Sequence, residues 1–226
     1  MKRHRRKINY ETKPEVYYTE TQKVLEFVCG NQKVSQDKNG KLIIGEKMKK
    51  SEAKNLIGCC GLYCGLCNKY QSKAPSRCIG CRLGEQHSWC SIWNCCVTKH
   101  GFETCAECSE IFNCAIFLRR KVIEWIPAAD NLNRIKKAGL KSWLSEQIER
   151  QTLLEQLLKN YNEGRSMNLY CKVCARMPID LINRAIKQAK EKLTREKIDN
   201  SDLKSKAKAL KMIIKDSALT AGINLD

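Results

Sequence analysis

Twelve of the 15 cysteines in this 226-residue chain fall between Cys59 and Cys114; the outliers are Cys29, Cys171 and Cys174. An odd number of cysteines cannot all pair as disulfides within one chain. Closely spaced thiols in a reducing compartment bind metal more often than they form bridges. A burial preference alone would scatter cysteines along the chain, whereas here they form one cluster. The clustered stretch cannot fold as an ordinary domain. Its cysteines interrupt any apolar period. Gly58, Gly61, Gly65, Gly80, Gly84 and Gly101 permit tight turns, and few large apolar side chains are left to form a core. Metal crosslinks would supply the missing stability.

The rest of the chain divides around that stretch. Residues 1–50 read as a basic N-terminal extension, 51–118 as the cysteine-rich metal-binding domain, and 119–226 as a helical region. The expected class is mainly α: an irregular, metal-stapled domain followed by helices. In the extension, "TETQKVLEFVCG" is expected to form a short helix on Val24, Leu25 and Val28. "KVSQDKNGKLIIG" is expected to form a hairpin around Asn39-Gly40. In the last region Leu140, Trp143, Leu144, Ile148, Leu154, Leu157, Leu158 and Tyr161 keep helical spacing. Pro178 opens a second helix with an Ile179, Ile182, Ile186, Ala189 and Leu193 stripe. Ser201 is the candidate N-cap of a third, whose Leu203, Ala207, Leu210 and Ile214 share a face flanked by lysines.

The spacing within the cluster points to metal. Cys64/Cys67, Cys78/Cys81 and Cys105/Cys108 are each C-x2-C, a spacing that lets one tight turn aim two sulfurs at a single ion. The first two pairs together read C-x2-C-x10-C-x2-C. Cys90, Cys95, Cys96, Cys105, Cys108 and Cys114 could complete a second tetrahedral set, and interleaved cross-brace pairing is equally allowed. Thiolates serve both zinc and iron–sulfur clusters. The bacterial ferredoxin run is absent, and His87 and His100 stand alone, so zinc is favoured.

"CCGLYCGLC" at Cys59–Cys67 also contains C-x3-C-x2-C at Cys60, Cys64 and Cys67, the spacing of radical S-adenosylmethionine enzymes. Those enzymes need repeated strand–helix units after the motif, and here more cysteines and then helices follow. Hydrolytic or nucleophilic catalysis has little support. Glu103 and Glu107 could act as a base beside a metal but read more simply as turn residues. Cys59 and Cys95 are the candidate reactive thiols, each also readable as a spare neighbour of a ligand. Cys171 and Cys174 read better as buried thiols than as ligands.

The order "CGLYCGLC", "CIGC", "CSIWNCCVTKHGFETCAECSEIFNC" resembles the cysteine-rich bacterial and archaeal proteins catalogued as domain of unknown function 3795. Their pattern is similar to CGLxCxxC…CxGC…CxIxxCxxxKGxExCxxCxxFxC. The resemblance spans about 55–195. It implies metal ligation by Cys60, Cys64, Cys67, Cys78, Cys81, Cys90, Cys96, Cys105, Cys108 and Cys114. Ile92, Gly101 and Phe112 match as well. His100 stands where the family carries lysine, and Cys59 falls outside the pattern. The family supplies no established reaction.

Charge refines the expectation. Formal net charge is +18. Basic residues outnumber acidic ones 13 to 6 in 1–50, 8 to 5 in 51–120 and 21 to 13 in 121–226. Eight thiolates on two zinc ions would add about −4 to the middle region and turn it slightly negative. Attraction to an anionic partner such as nucleic acid would therefore come from the flanks. Lysine-rich helices also simply present solvated faces. The N-terminus "MKRHRRKINYETKPEV" has no apolar core behind it, so it does not read as a secretory signal. No membrane insertion is expected, and the cytoplasm is the expected location. The sequence thus points to a non-enzymatic module that holds two structural zinc ions and engages a protein or nucleic acid. The alternative is an iron–sulfur redox or radical-type accessory protein using Cys60, Cys64 and Cys67.

Overall fold

Phe27, Val28 and Cys29 are extended, which corrects the helix expected over this stretch. In the computed structural model, which describes residues 27–29, 32–36, 42–44, 50–119 and 128–225, they form strand β1 (Phe27–Cys29). A helix this short cannot offset its nucleation cost, whereas an aromatic followed by a β-branched residue suits a strand. Strand β2 (Gln32–Gln36) pairs antiparallel with β1 and with β3 (Leu42–Ile44), setting Phe27 opposite Val34 and Val34 opposite Ile44. The β2–β3 hairpin is the one the sequence suggests. Its Asn39-Gly40 turn, and residues 19–26 of the expected helix, lie outside the described residues.

The chain divides into two compact units, Met1–Met48 and Lys49–Asp226. In the second, the cysteine-rich stretch is short on regular structure. Helix α1 (Lys50–Lys54), helix α2 (Asn68–Gln71), the single turn α3 (Ser91–Trp93) and helix α4 (Ala115–Arg119) are joined by 3-10 turns and loops. Long helices follow: α5 (Ala128–Ala138), α6 (Leu140–Tyr161), α7 (Met167–Arg176), α8 (Ile179–Arg195) and α9 (Leu203–Thr220). The described residues are thus mainly helical. None of their helices is long and apolar enough to cross a membrane.

The helical core follows the sequence stripes. Leu154 and Leu157 of α6, Val173 of α7, Ile182 and Ala189 of α8, and Leu210 and Ile214 of α9 are fully buried. Gly139 (φ +78°) separates α5 from α6, a left-handed conformation that costs glycine little. The cap of α9 is Asp202, not Ser201: the Asp202 carboxylate accepts the Ser205 N–H at 3.0 Å. Ser201 instead donates its hydroxyl to Asp199 at 2.7 Å. A carboxylate at this position also meets the positive end of the helix dipole, which a hydroxyl does not.

The cysteine-rich stretch is seated directly on these helices. Tyr63 donates its hydroxyl to Gln151 Oε1 on α6 at 2.9 Å and meets Trp143 edge-on, with centroids 6.1 Å apart. Two glycines permit the close approach. A Cβ on Gly61 would lie 2.7 Å from the Ala128 carbonyl oxygen and Leu132 Cγ. One on Gly65 would lie 2.1 Å from Gln151 Oε1. Asn131 of α5 donates to the Gly61 carbonyl at 2.9 Å, so the same turn is also held by a buried hydrogen bond.

Candidate metal centre

Three separate turns each deliver one thiol to a common point. The first is a tight turn. Ile57 bridges Tyr63, Gly58 N–H bonds the Leu62 carbonyl at 2.8 Å, and Gly61 N–H bonds the Gly58 carbonyl at 3.0 Å. Cys59 and Cys60 occupy the two central positions of that turn. The second is the wide π-type turn over Asn94–Lys99, which carries Cys96 and is closed by Phe102 N–H bonding the Cys96 carbonyl at 2.9 Å. The third is the 3-10 turn Cys105–Glu107. The Cys105 N–H bonds the Cys59 carbonyl at 2.8 Å, which ties the third segment to the first.

The sulfurs of Cys59, Cys96 and Cys105 all lie within 4.8 Å of one another, and all three residues are buried. Three thiolates could not share so small a volume without a cation. The trio instead centres on Cys96. Hydrogen bonds from Cys105 and Cys59 pull the Cys96 thiol down to about 4, against the effect of burial and with help from the charges of Arg82 and His100. Cys59 is pushed up, first by its hydrogen bond to Cys105, then by that to Cys96 and by burial. Cys96 is thus the most readily ionised of three buried thiols that lie against one another, its sulfur also 3.8 Å from the Phe102 carbonyl oxygen. That arrangement is suited to receive a soft cation, which would release the thiol protons.

Acidic residues beside this centre prove to be turn formers. Glu107 closes a capping box: its Oε1 accepts the N–H groups of Glu103 at 2.8 Å and Thr104 at 2.9 Å. Glu103 pairs with Lys54 at 2.8 Å. His87, half-buried, has Nδ1 at 2.9 Å from the carbonyl oxygens of both Cys81 and Gly84, and its ring stacks on Trp93. His100 stacks on Phe102 and lines a small apolar cavity beside Cys96 and Cys105.

Of the residues expected to bind metal, Cys96 and Cys105 join the trio. Cys108 and Cys114 line the apolar cavity with Cys95. Cys60 lies outside the trio, although its charge acts on Cys59 and Cys105. Burial pushes its thiol up to about 12, and the charges that act on it include those of Cys81 and Cys90. Cys64, Cys67, Cys78 and Cys81 influence one another electrostatically and form a second, looser neighbourhood with Cys60 and Cys90. Cys171 and Cys174 are fully buried on α7, and burial pushes the Cys171 thiol up to about 12.

Sequence reasoning missed two residues. Cys59 reads as the spare member of a vicinal pair, yet it is the one that enters the trio. The Gly58-Cys-Cys-Gly61 turn, which points adjacent side chains in different directions, carried that signal. Arg82 was passed over altogether. Its Nε donates to the Ile57 carbonyl at 2.8 Å and its Nη2 to the Glu103 carbonyl at 2.7 Å. It therefore fastens together the residues two before Cys59 and two before Cys105, with its guanidinium over the Trp93 ring. No family model, curated protein or solved structure matches the chain.

Proposed function

We propose that this protein is a cytoplasmic, metal-stapled interaction module of the cysteine-rich kind that its motif order resembles, with Cys59, Cys96 and Cys105 holding one structural zinc ion. The observation that carries this reading is the close packing of three buried sulfurs from three separate segments. Thiolates on a single tetrahedral zinc ion stand about 3.8 Å apart, given a Zn–S bond of about 2.3 Å. The trio fits that spacing. A four-iron cluster seats each thiolate on its own iron and spreads the sulfurs more widely. Zinc bound here would supply a crosslink. The cavity beside Cys96 and Cys105 gives access to Cys95, Cys108 and Cys114, any of which could close the fourth position. The partner is a protein or nucleic acid drawn by exposed lysines such as Lys187, Lys190, Lys204, Lys208 and Lys215 on α8 and α9.

Elemental analysis of the full chain purified without oxygen tests the metal. Colourless protein with zinc, one ion of which is lost on Cys59→Ser, is the expected result. Brown protein containing iron and sulfide would overturn it in favour of the redox alternative. For the partner, binding to a nucleic-acid duplex should weaken steeply between 50 and 200 mM salt, by about 10³-fold or more if six phosphates are contacted.

A further inference from the structure

The looser cysteine neighbourhood carries more structure than its spacing alone suggests. Cys64 opens a 3-10 turn, Cys64–Leu66, that ends with Cys67 N–H bonding the Cys64 carbonyl at 2.9 Å. The ten residues that follow are folded back on themselves. Cys78 N–H bonds the Lys69 carbonyl at 3.2 Å, and Arg77 reaches the Tyr70 carbonyl at 3.2 Å while lying over the Tyr70 ring. The second C-x2-C therefore returns to the first. Its own turn is a thiolate cradle. Gly80 N–H points at Cys78 Sγ from 3.4 Å, and Cys81 N–H donates to the Cys64 sulfur.

Gly80 shows how closely the two pairs meet. It has φ +95°, and a Cβ built there would lie 3.5 Å from Cys64 Sγ. The Cys78–Cys81 backbone is thus laid over the sulfur of the other pair. Backbone N–H groups aimed at sulfur stabilise thiolates and have no better use in a turn of thiols. No three of these sulfurs reach the 4.8 Å mutual spacing of the trio, so binding an ion would draw them inward.

We propose that Cys64, Cys67, Cys78 and Cys81 form a second, separate tetrathiolate zinc site, with sequential rather than cross-braced pairing. The vicinal cysteines then mark the boundary: Cys59 serves the trio, while Cys60 lies between the two groups, near Cys81 and Cys90 on one side and Cys59 and Cys105 on the other. Arg82 follows Cys81 directly and fastens the segments of the trio. Its charge acts on both Cys81 and Cys96, so one cation offsets the excess negative charge of two neighbouring thiolate centres. The proposal extends metal binding beyond the trio and rests on a different set of sulfurs.

Native mass spectrometry of the full chain, reduced and supplied with zinc, reads the number of ions directly. Two ions are expected for the natural sequence, one for Cys81→Ser, one for Cys59→Ser and none for the double variant. Cys81→His keeps a zinc ligand and guards against misfolding. It should retain two ions and, loaded with cobalt, shift the visible bands to shorter wavelength as one thiolate is lost. Full zinc in Cys81→Ser, or an unshifted cobalt spectrum in Cys81→His, overturns the second site. Loss of both ions from either single serine variant overturns the separate pairing. If Cys59→Ser keeps all its zinc while Cys81→Ser loses one ion, the trio fails and this site stands.

Discussion

The cysteine-rich stretch and the helical stretch bury thiols for opposite reasons. On α7, Cys171 and Cys174 are fully buried where long helices pack and behave as small hydrophobes, although Cys67 lies close enough for its charge to act on Cys171. In the turns around Cys59, Cys96 and Cys105, the thiols lie against one another, and the surrounding structure consists of single turns joined by backbone hydrogen bonds. Burial in the helical region follows from repeated apolar stripes, which cover one another without help. Burial in the cysteine region brings together groups that repel once ionised, so it depends on something that neutralises them. Identical residue types with similar exposure therefore contribute to stability in different ways, and each can be lost without the other.

Stripping metal should separate the two most sharply. A structural zinc ion contributes about 10–16 kcal/mol of apparent binding free energy, more than a small domain's net stability. With a strong chelator under reducing conditions, amide hydrogen exchange should become fast across 55–115. Protection in α6, α8 and α9 should largely remain. Unchanged protection in the cysteine region would mean that its hydrogen bonds and apolar contacts suffice alone. The converse experiment acts on the helices. Leu154→Ala or Leu157→Ala removes a fully buried side chain and should cost about 2–5 kcal/mol in denaturant unfolding, with zinc per folded chain unchanged. Loss of zinc from either variant would show that the helices form the metal sites rather than merely support them.

How much of this was legible in the sequence depends on how far each signal reaches. Helical stripes are local and repeat, so α6, α8 and α9 were readable. Ser201 failed as a cap because Asp202 competes for the same N–H groups with a stronger acceptor. Phe27–Cys29 failed as a helix because a single apolar turn is weaker than pairing with β2. The cysteine cluster announced metal but not its partition. Ligand pairing is decided by which turns are tied together, as Cys105 N–H is tied to the Cys59 carbonyl, and such bonds leave no mark in spacing. Arg82 was invisible for the same reason: both of its acceptors are backbone carbonyls, which every residue has.

The contact between the two regions makes a finer test, because Gly61 belongs to both. It needs φ +86°, and a Cβ would collide with the Ala128 backbone as well as Leu132. Gly61→Ala should cost about 1–3 kcal/mol in strain and lower zinc affinity, since the turn that carries Cys59 must shift. Gly139→Ala is the control. Its φ is +78°, but nothing lies within 4 Å of the added Cβ, so it bears only the conformational cost of about 1–2 kcal/mol. Equal losses in both variants, with zinc affinity unchanged in both, would mean that the close approach at Gly61 carries no weight.

Cys171→Ala should give the smallest effect and bears most directly on why the two kinds of thiol differ. The side chain is fully buried, so removing its sulfur should cost about 1 kcal/mol, near the value of one buried methylene, and zinc content should not change. Burial holds its thiol near 12, far above neutral pH, so almost none is present as reactive thiolate. In metal-free protein at neutral pH, an alkylating reagent should therefore label the half-buried cysteines of the 55–115 stretch first, because their turns open without the ion, and Cys171 among the last. Labelling at equal rates would show that α7 opens as readily as the metal-free turns. The helical stripes would then be doing less to hold the fold than their burial implies, and both regions would depend on the ion.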